Sequence, residues 1–496
     1  MLMVMMVRKG CDSKVGAGGR IVGSGQSVIR RIGRGTLGAW SSERRPAVGG
    51  QRKKKGGRVT PKGGGPIGRL APAERAGLED IFESMLRSAP KELTDELPQL
   101  DVEMWASQMW SIWANTELVG VDAVELFGGG LIKHAAKRAT PGALMVLRAL
   151  GAVAPEPYGS RARREAGRLA ATGVAERRWA SVVGTGEPTV AWLTYDPIDD
   201  DGVSVMVGFD GPGGPSTIGV YVDHNLGGMA KDFFAQPSGI DGLVARLRED
   251  EEVPGPVEYR EISLEEAAAR WSEALEMTDM TLDPPTSEDF DDLRALVMAR
   301  LFKLPRSRQV LVPSRMVEEE REQLLTEFIE SDETVGLWGL SDEDNEDDAV
   351  EHLAYQILAF SLDYVLGTPL RFSPFMVEVF CLDWAPRKIA IDGDGFTLLP
   401  DVLAAWIRFV GRRRGIPEEA ISDAVHAAYV YAPEMIELSQ DPEEWGPAKT
   451  LALGVQQRGI DPTDQAALDD FIDEVNRNGG IDVLADSLVE SLAPRR

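Results

Sequence analysis

TIGVYVDHNLGGMAKDFF, Thr217 to Phe234, decides how the middle of this chain is built. Ile218, Val220 and Val222 alternate with other residues, the period of a strand with one buried face. Asp223, His224 and Asn225 then end the run. Gly227 and Gly228 permit a sharp bend. Beyond them the spacing predicts a helix, with Lys231 and Asp232 one turn in. Strands are expected on both sides of this stretch. VAWLTY (Val190–Tyr195) and VSVMVGF (Val203–Phe209) precede it, and GPGGP (Gly211–Pro215) makes the turn into it. VEYREI (Val257–Ile262) returns to the sheet. Ser263 and Glu266 then form a capping box that opens a helix through Trp271 and Leu275.

Outside this region the period is helical. Val102, Trp105, Met109 and Ile112 form one stripe, which Trp110 and Trp113 widen into a core face. Thr140-Pro141 starts a helix that Gly151 closes. LFGGGLIKH, Leu126–His134, matches neither phosphate-loop pattern and reads as a flexible joint. Thr286 caps a helix with Phe290, Leu293, Val297 and Leu301 on one face. Further helices follow to the end, interrupted by a small hairpin over Arg387–Leu399 with its turn at Asp392–Gly395. The expected fold is α+β, mostly helical with a small antiparallel sheet in the middle of the chain. Residues 1–70 read as a disordered basic arm and 71–180 as an N-terminal helical segment. A small α+β sheet region is expected over 181–285, and a C-terminal helical region over 286–496.

Composition bounds the function. The chain has 496 residues, 43% of them hydrophobic, enough for a sizeable core. No run of about 18 apolar residues occurs, which predicts no membrane span. MLMVMMV at the start has no basic segment before it, the wrong order for a secretory signal. Cys11 and Cys381 stand far apart, which argues against a disulfide framework and for a reducing cytoplasm. Cys381, in an apolar helix, reads as a small buried hydrophobe. The net charge of −27 is divided unevenly. Residues 1–62 carry +13, leaving −40 on the rest. The acidic body should repel nucleic acid, so only the arm could bind it.

The residues that could carry chemistry are few. Asp223, His224, Asn225, Gly227, Gly228 and Lys231 form the one candidate ligand-binding loop. A histidine beside polar side chains can serve as a base or metal ligand, and the glycines allow a ligand close to the backbone. The simpler reading is a turn in which Asp223 or Asn225 caps the helix. The acidic run Ser341–Asp348 begins like a calcium loop at Asp342 and Asp344, but Asp347 stands where the loop needs glycine. Asp392 and Asp394 are short of further ligands. His134, His352 and His426 are isolated. No catalytic residue, metal set or cofactor is assigned.

WASQMWSIW (Trp105–Trp113), DHNLGGMAKD (Asp223–Asp232), DWAPRK (Asp383–Lys388) and LPDVLAAWIRFVGRRRG (Leu399–Gly415) together resemble a family of soluble proteins from high-GC actinobacteria. The resemblance covers roughly residues 75–430 and leaves out the arm. It implies a cytoplasmic setting and no mechanism. The expected function is therefore a non-enzymatic interaction or regulatory protein with a protein partner. Two alternatives stand beside it: a hydrolase or transferase using the Asp223–Asp232 loop, and nucleic-acid association through the arm.

Overall fold

The computed structural model describes residues 72–114, 122–249, 256–281, 284–306, 316–337, 346–366, 370–391, 393–461 and 463–492. The basic arm and Cys11 lie outside the described residues, as do the side chains of Ser341–Asp348, Asp392 and Asp394. The fold is α+β and mostly helical, with one five-stranded antiparallel sheet in the middle of the chain. Among the described residues no helix is long and apolar enough to cross a membrane.

Among the described residues five helices come first: α1 (Pro72–Glu92), α2 (Gln99–Ala114), α3 (Gly130–Ala135), α4 (Pro141–Val153) and α5 (Tyr158–Ala170). A π-helical turn, Val124–Gly129, leads into α3. The glycines of this turn are therefore not a flexible joint, as the sequence suggested. A Cβ on Gly128 would stand 3.0 Å from the Trp110 ring, so glycine is there to let the backbone close on the indole. Thr140 caps α4 by accepting from the Ala143 amide. The helix does not stop at Gly151 but runs to Val153.

The sheet consists of β1 (Glu187–Tyr195), β2 (Gly202–Asp210), β3 (Ser216–Asp223), β4 (Met229–Gln236) and β5 (Glu258–Ile262), in the order β4-β3-β2-β1-β5. Val203, Val205, Val207 and Phe209 alternate onto one face, where they join the core built from the first five helices. Helices α7 (Leu264–Met280) and α8 (Phe290–Leu301) close that core. Trp271 of α7 donates its indole hydrogen to the Val205 carbonyl at 3.0 Å. Met206 and Phe234 point to the other face, under α6 (Ile240–Glu249). Gly219 lies beneath the Phe234 ring, which leaves no room for a side chain there.

Thr217–Phe234 is the first correction. Gly227 and Gly228 do not hand over to a helix; they close a hairpin between β3 and β4. Lys231 and Asp232 lie on a strand. A register shift at Tyr221/Val222 bulges β4, so that Met229 and Ala230, then Phe233 and Phe234, are buried. That bulge breaks the two-residue period and imitates the i, i+4 spacing of a helix. Thr286 is not a cap either. The Ser287 amide donates to the Lys231 carbonyl, and α8 begins only at Phe290.

Helix α2 packs antiparallel on α8 through a polar ladder. Glu103 accepts from Arg300, Ser107 accepts from the Leu296 amide, and Ser111 donates to Asp292. The buried face of α2 is thus rotated from the expected stripe, and Ile112 is 59% exposed. Trp110 and Trp113 are core, as the sequence suggested.

A second helical core follows, from α9 (Glu318–Ile329), α10 (Glu346–Asp363), α11 (Pro374–Val379), α12 (Ala385–Lys388), α13 (Gly393–Arg414) and α14 (Glu418–Gln440). The hairpin expected over Arg387–Leu399 is absent: α12 ends at Lys388 and α13 starts at Gly393. Ile389 is buried in this core and Ile391 packs against it, so the two alternating isoleucines belong to a short helix–helix link. Cys381 is buried, which pushes its thiol above the ordinary range. Helices α15 (Pro447–Gln457), α16 (Gln465–Arg477) and α17 (Ile481–Leu492) close the chain with a small cluster of their own around Phe471 and Leu488.

Lys449 on α15 is 2% exposed. It donates to the carbonyls of Pro386 and Ser439 at 2.7 and 3.0 Å and faces the Phe396 and Trp445 rings. Burial pulls its ammonium down from 10.5 to about 7. Between those values the unfolded chain binds a proton that the folded chain has released, so stability rises with pH. Cys381 opposes this only towards pH 9, where an unfolded thiol ionises. Urea melts at pH 7, 8 and 9 should show the rise, limited to about 1.4 kcal/mol per pH unit. The same melts on Lys449→Met should be flatter. An unchanged slope in that variant would show that Lys449 keeps its proton.

Candidate functional site

The expected loop residues do come together, in the five-residue turn after β3. Asp223 is buried and accepts from the amides of Asn225 and Leu226 at 2.9 and 3.2 Å. Its other oxygen pairs with Lys231 Nζ at 2.8 Å. Gly227 and Gly228 have φ of 72° and 81°, the left-handed region that glycine enters without strain. A Cβ on Gly228 would strike Leu366, which packs over the turn.

The neighbouring β1–β2 loop completes the cluster. His224 Nδ1 lies 2.9 Å from the Asp200 carbonyl and 3.3 Å from its carboxylate. Asn225 donates to Asp201 at 2.8 Å. Arg371, 0% exposed, reaches in from the chain just before α11. Its Nη1 donates to Asn225 Oδ1 at 2.7 Å and to Asp201 Oδ1 at 3.0 Å. Ser373, which caps α11, donates to the same Asp201 oxygen. The Leu366 amide donates to the His224 carbonyl at 2.8 Å. Burial pushes the Asp201 carboxyl upward, and the Arg371 charge, Ser373 and Asn225 pull it back. This cluster joins the sheet to the second helical core. Most of its polar atoms are directed at one another, as a structural joint requires, although Arg371 Nε is buried without a partner among the described residues.

A cavity lies elsewhere among the described residues. A groove of about 790 Å³ opens between the end of α2, the end of α4, the Arg178–Ser181 turn and α8. One face of α8 forms its length: Arg294, Ala295, Met298, Ala299 and, at the rim, Phe302. That face borders the buried Leu293, Leu296 and Val297, and Ala295 is buried with them. Ala152, Ala180 and Gly184 oppose it, and their small size leaves the space open. Trp110 lies at one end, edge-on to Trp113 and tilted against Tyr158.

Lys303 lies at the other end. Its Nζ donates to the carbonyls of Gly184 and Gly186, both at 2.6 Å. Desolvation pulls its ammonium below the ordinary lysine range, with Arg300 adding to the effect. Gly184 also donates its amide to Glu103 at 2.6 Å, which anchors the groove floor to the buried pair.

No family model, no curated protein and no solved structure matches this chain.

Among the described residues no three His, Cys, Asp or Glu side chains gather as a metal set. His134 pairs with Glu83 of α1 at 3.1 Å. Sequence reasoning missed Asp201, Arg371 and Ser373. DPIDDD before β2 is a visible acidic signal, but nothing local pairs it with an arginine 170 residues on. It also missed the groove. The apolar face of α8 that lines it is offset from the stripe the sequence made conspicuous.

Proposed function

We propose that this protein is a non-enzymatic binding protein and that the groove along α8 is its binding face. One observation carries the reading: about 790 Å³ of mostly apolar space, within the range of ligand sites, open along α8 at the edge of the first core. The Asp223 turn is then a joint. Each of Asp223, His224, Asn225 and Lys231 already bonds within the chain. The hydrolase or transferase alternative through this loop has less behind it, because a catalytic base must reach a substrate proton. Nucleic-acid association through the arm rests on the +13 charge of residues 1–62. A cytoplasmic setting is proposed on the two widely separated cysteines.

Nile red, an uncharged apolar dye, tests the groove. It should bind one per chain with enhanced fluorescence. Ala299→Trp, which fills the groove from α8, should weaken binding by about tenfold or more at unchanged melting temperature. Ala299→Phe serves if the larger ring disturbs folding. Dye binding that is absent, or indifferent to both variants, overturns the reading.

A further inference from the structure

The groove combines an apolar wall with a charge surplus of the wrong sign for this protein. Residues 63–496 carry 38 Lys and Arg against 78 Asp and Glu. The groove is lined by four cations, Arg148, Arg163, Arg294 and Lys303, against two acids, Glu156 and Asp291. Which of these cations could meet an anion depends on the carboxylates already beside them.

The four cations are not equivalent. Arg148 is held by Glu176 at 2.6 Å, Arg163 by Glu156 at 2.5 Å and Arg294 by Asp279 at 2.5 Å. Each therefore has a close carboxylate. Lys303 has none. An ammonium has three donors, and two of these go to neutral carbonyls. The third reaches only Glu187, at 3.5 Å, whose side chain is 74% exposed. Carbonyl dipoles hold the ammonium in place without neutralising it. Arg300 nearby is already matched by Glu103, so it does not compete for an anion.

Resting on the binding reading above, we infer that the groove takes an apolar carboxylate, an acyl or aryl acid, with its carboxylate on Lys303 and its apolar body along Met298, Ala299 and Ala152 towards Trp110. The volume suits a molecule of that size. A charge-assisted hydrogen bond from a partly desolvated ammonium is stronger than one between neutral groups. Glu187, exposed and at the limit of contact, is the group the ligand would displace.

The probes are laurate, dodecanol and dodecyltrimethylammonium, which share a chain and differ in the head. Each is titrated against bound Nile red on the full-length protein, below its critical micelle concentration. Laurate should displace the dye about tenfold more tightly than dodecanol, and the ammonium amphiphile least of all. In Lys303→Met and Lys303→Gln the advantage of laurate over dodecanol should vanish while dye binding remains. Equal affinity of laurate and dodecanol for the wild type overturns the inference, as does a preference that survives both Lys303 variants. Displacement by the cationic amphiphile as strong as by laurate assigns the groove to apolar surfaces in general and likewise overturns it. In all three cases dye binding blocked by Ala299→Trp leaves the binding reading standing. Dye binding that never depended on Ala299 fails that reading instead.

Discussion

Arg371→Met should lower the unfolding free energy by about 3–5 kcal/mol, the usual cost of removing one partner of a buried charge pair. Arg371 is wholly buried, and one nitrogen serves both Asp201 and Asn225. Without it, Asp201 keeps a burial penalty with only Ser373 and Asn225 to offset it. The loss should grow as pH rises from about 4, because burial favours the protonated carboxyl and the unfolded chain releases that proton first. Asp201→Asn in the same chain should restore much of the stability, since an amide needs no counter-charge. Urea melts of the two single variants and the double variant measure the coupling. Additive losses would show that the two residues do not act as a pair. The variant should also loosen the connection between the sheet and the second helical core, because Leu366, Arg371 and Ser373 make their polar contacts there.

Glu103→Ala should cost a similar amount, about 3–5 kcal/mol, between α2 and α8. Glu103 and Arg300 are 1% and 3% exposed. The same carboxylate accepts from Gln99 at 2.7 Å and from the Gly184 amide at 2.6 Å. Removing it leaves the Arg300 charge, an amide side chain and a backbone N–H unsatisfied in the interior, each with its own desolvation penalty. Replacing both members, Glu103→Leu with Arg300→Met, should be far milder, because no buried charge remains. Thermal and urea melts of these variants test this. A single variant as stable as the wild type would mean that water reaches the pair. Since Gly184 carries one end of the groove, Glu103→Ala should also weaken Nile red binding. Lys303 depends on the position of that same glycine.

The sequence by itself determined the class of fold. Period-two runs over Val190–Tyr195, Val203–Phe209 and Thr217–Val222 became β1, β2 and β3, because successive side chains of a strand point to opposite faces of the sheet. Thr140 and Ser263 became caps, because a hydroxyl three residues before a helical amide meets it through local geometry alone. Cys381 and the paired tryptophans of α2 became core by hydrophobicity.

Tertiary structure decided what those local rules leave open. The bulge in β4 makes a strand look helical, and only pairing with β3 fixes its register. Gly128, before α3, packs against Trp110, a contact that chain-local propensity does not contain. The candidate loop was legible as a cluster of polar residues, but its role was not. Arg371 and Ser373 reach Asp201 across 170 and 172 residues of chain. The groove is the clearest case. It exists because small side chains on α4, α8 and the turn before β1 face one another, leaving Lys303 a cation without a close carboxylate. Smallness and charge are written in the sequence, whereas the space between distant elements arises only when they pack.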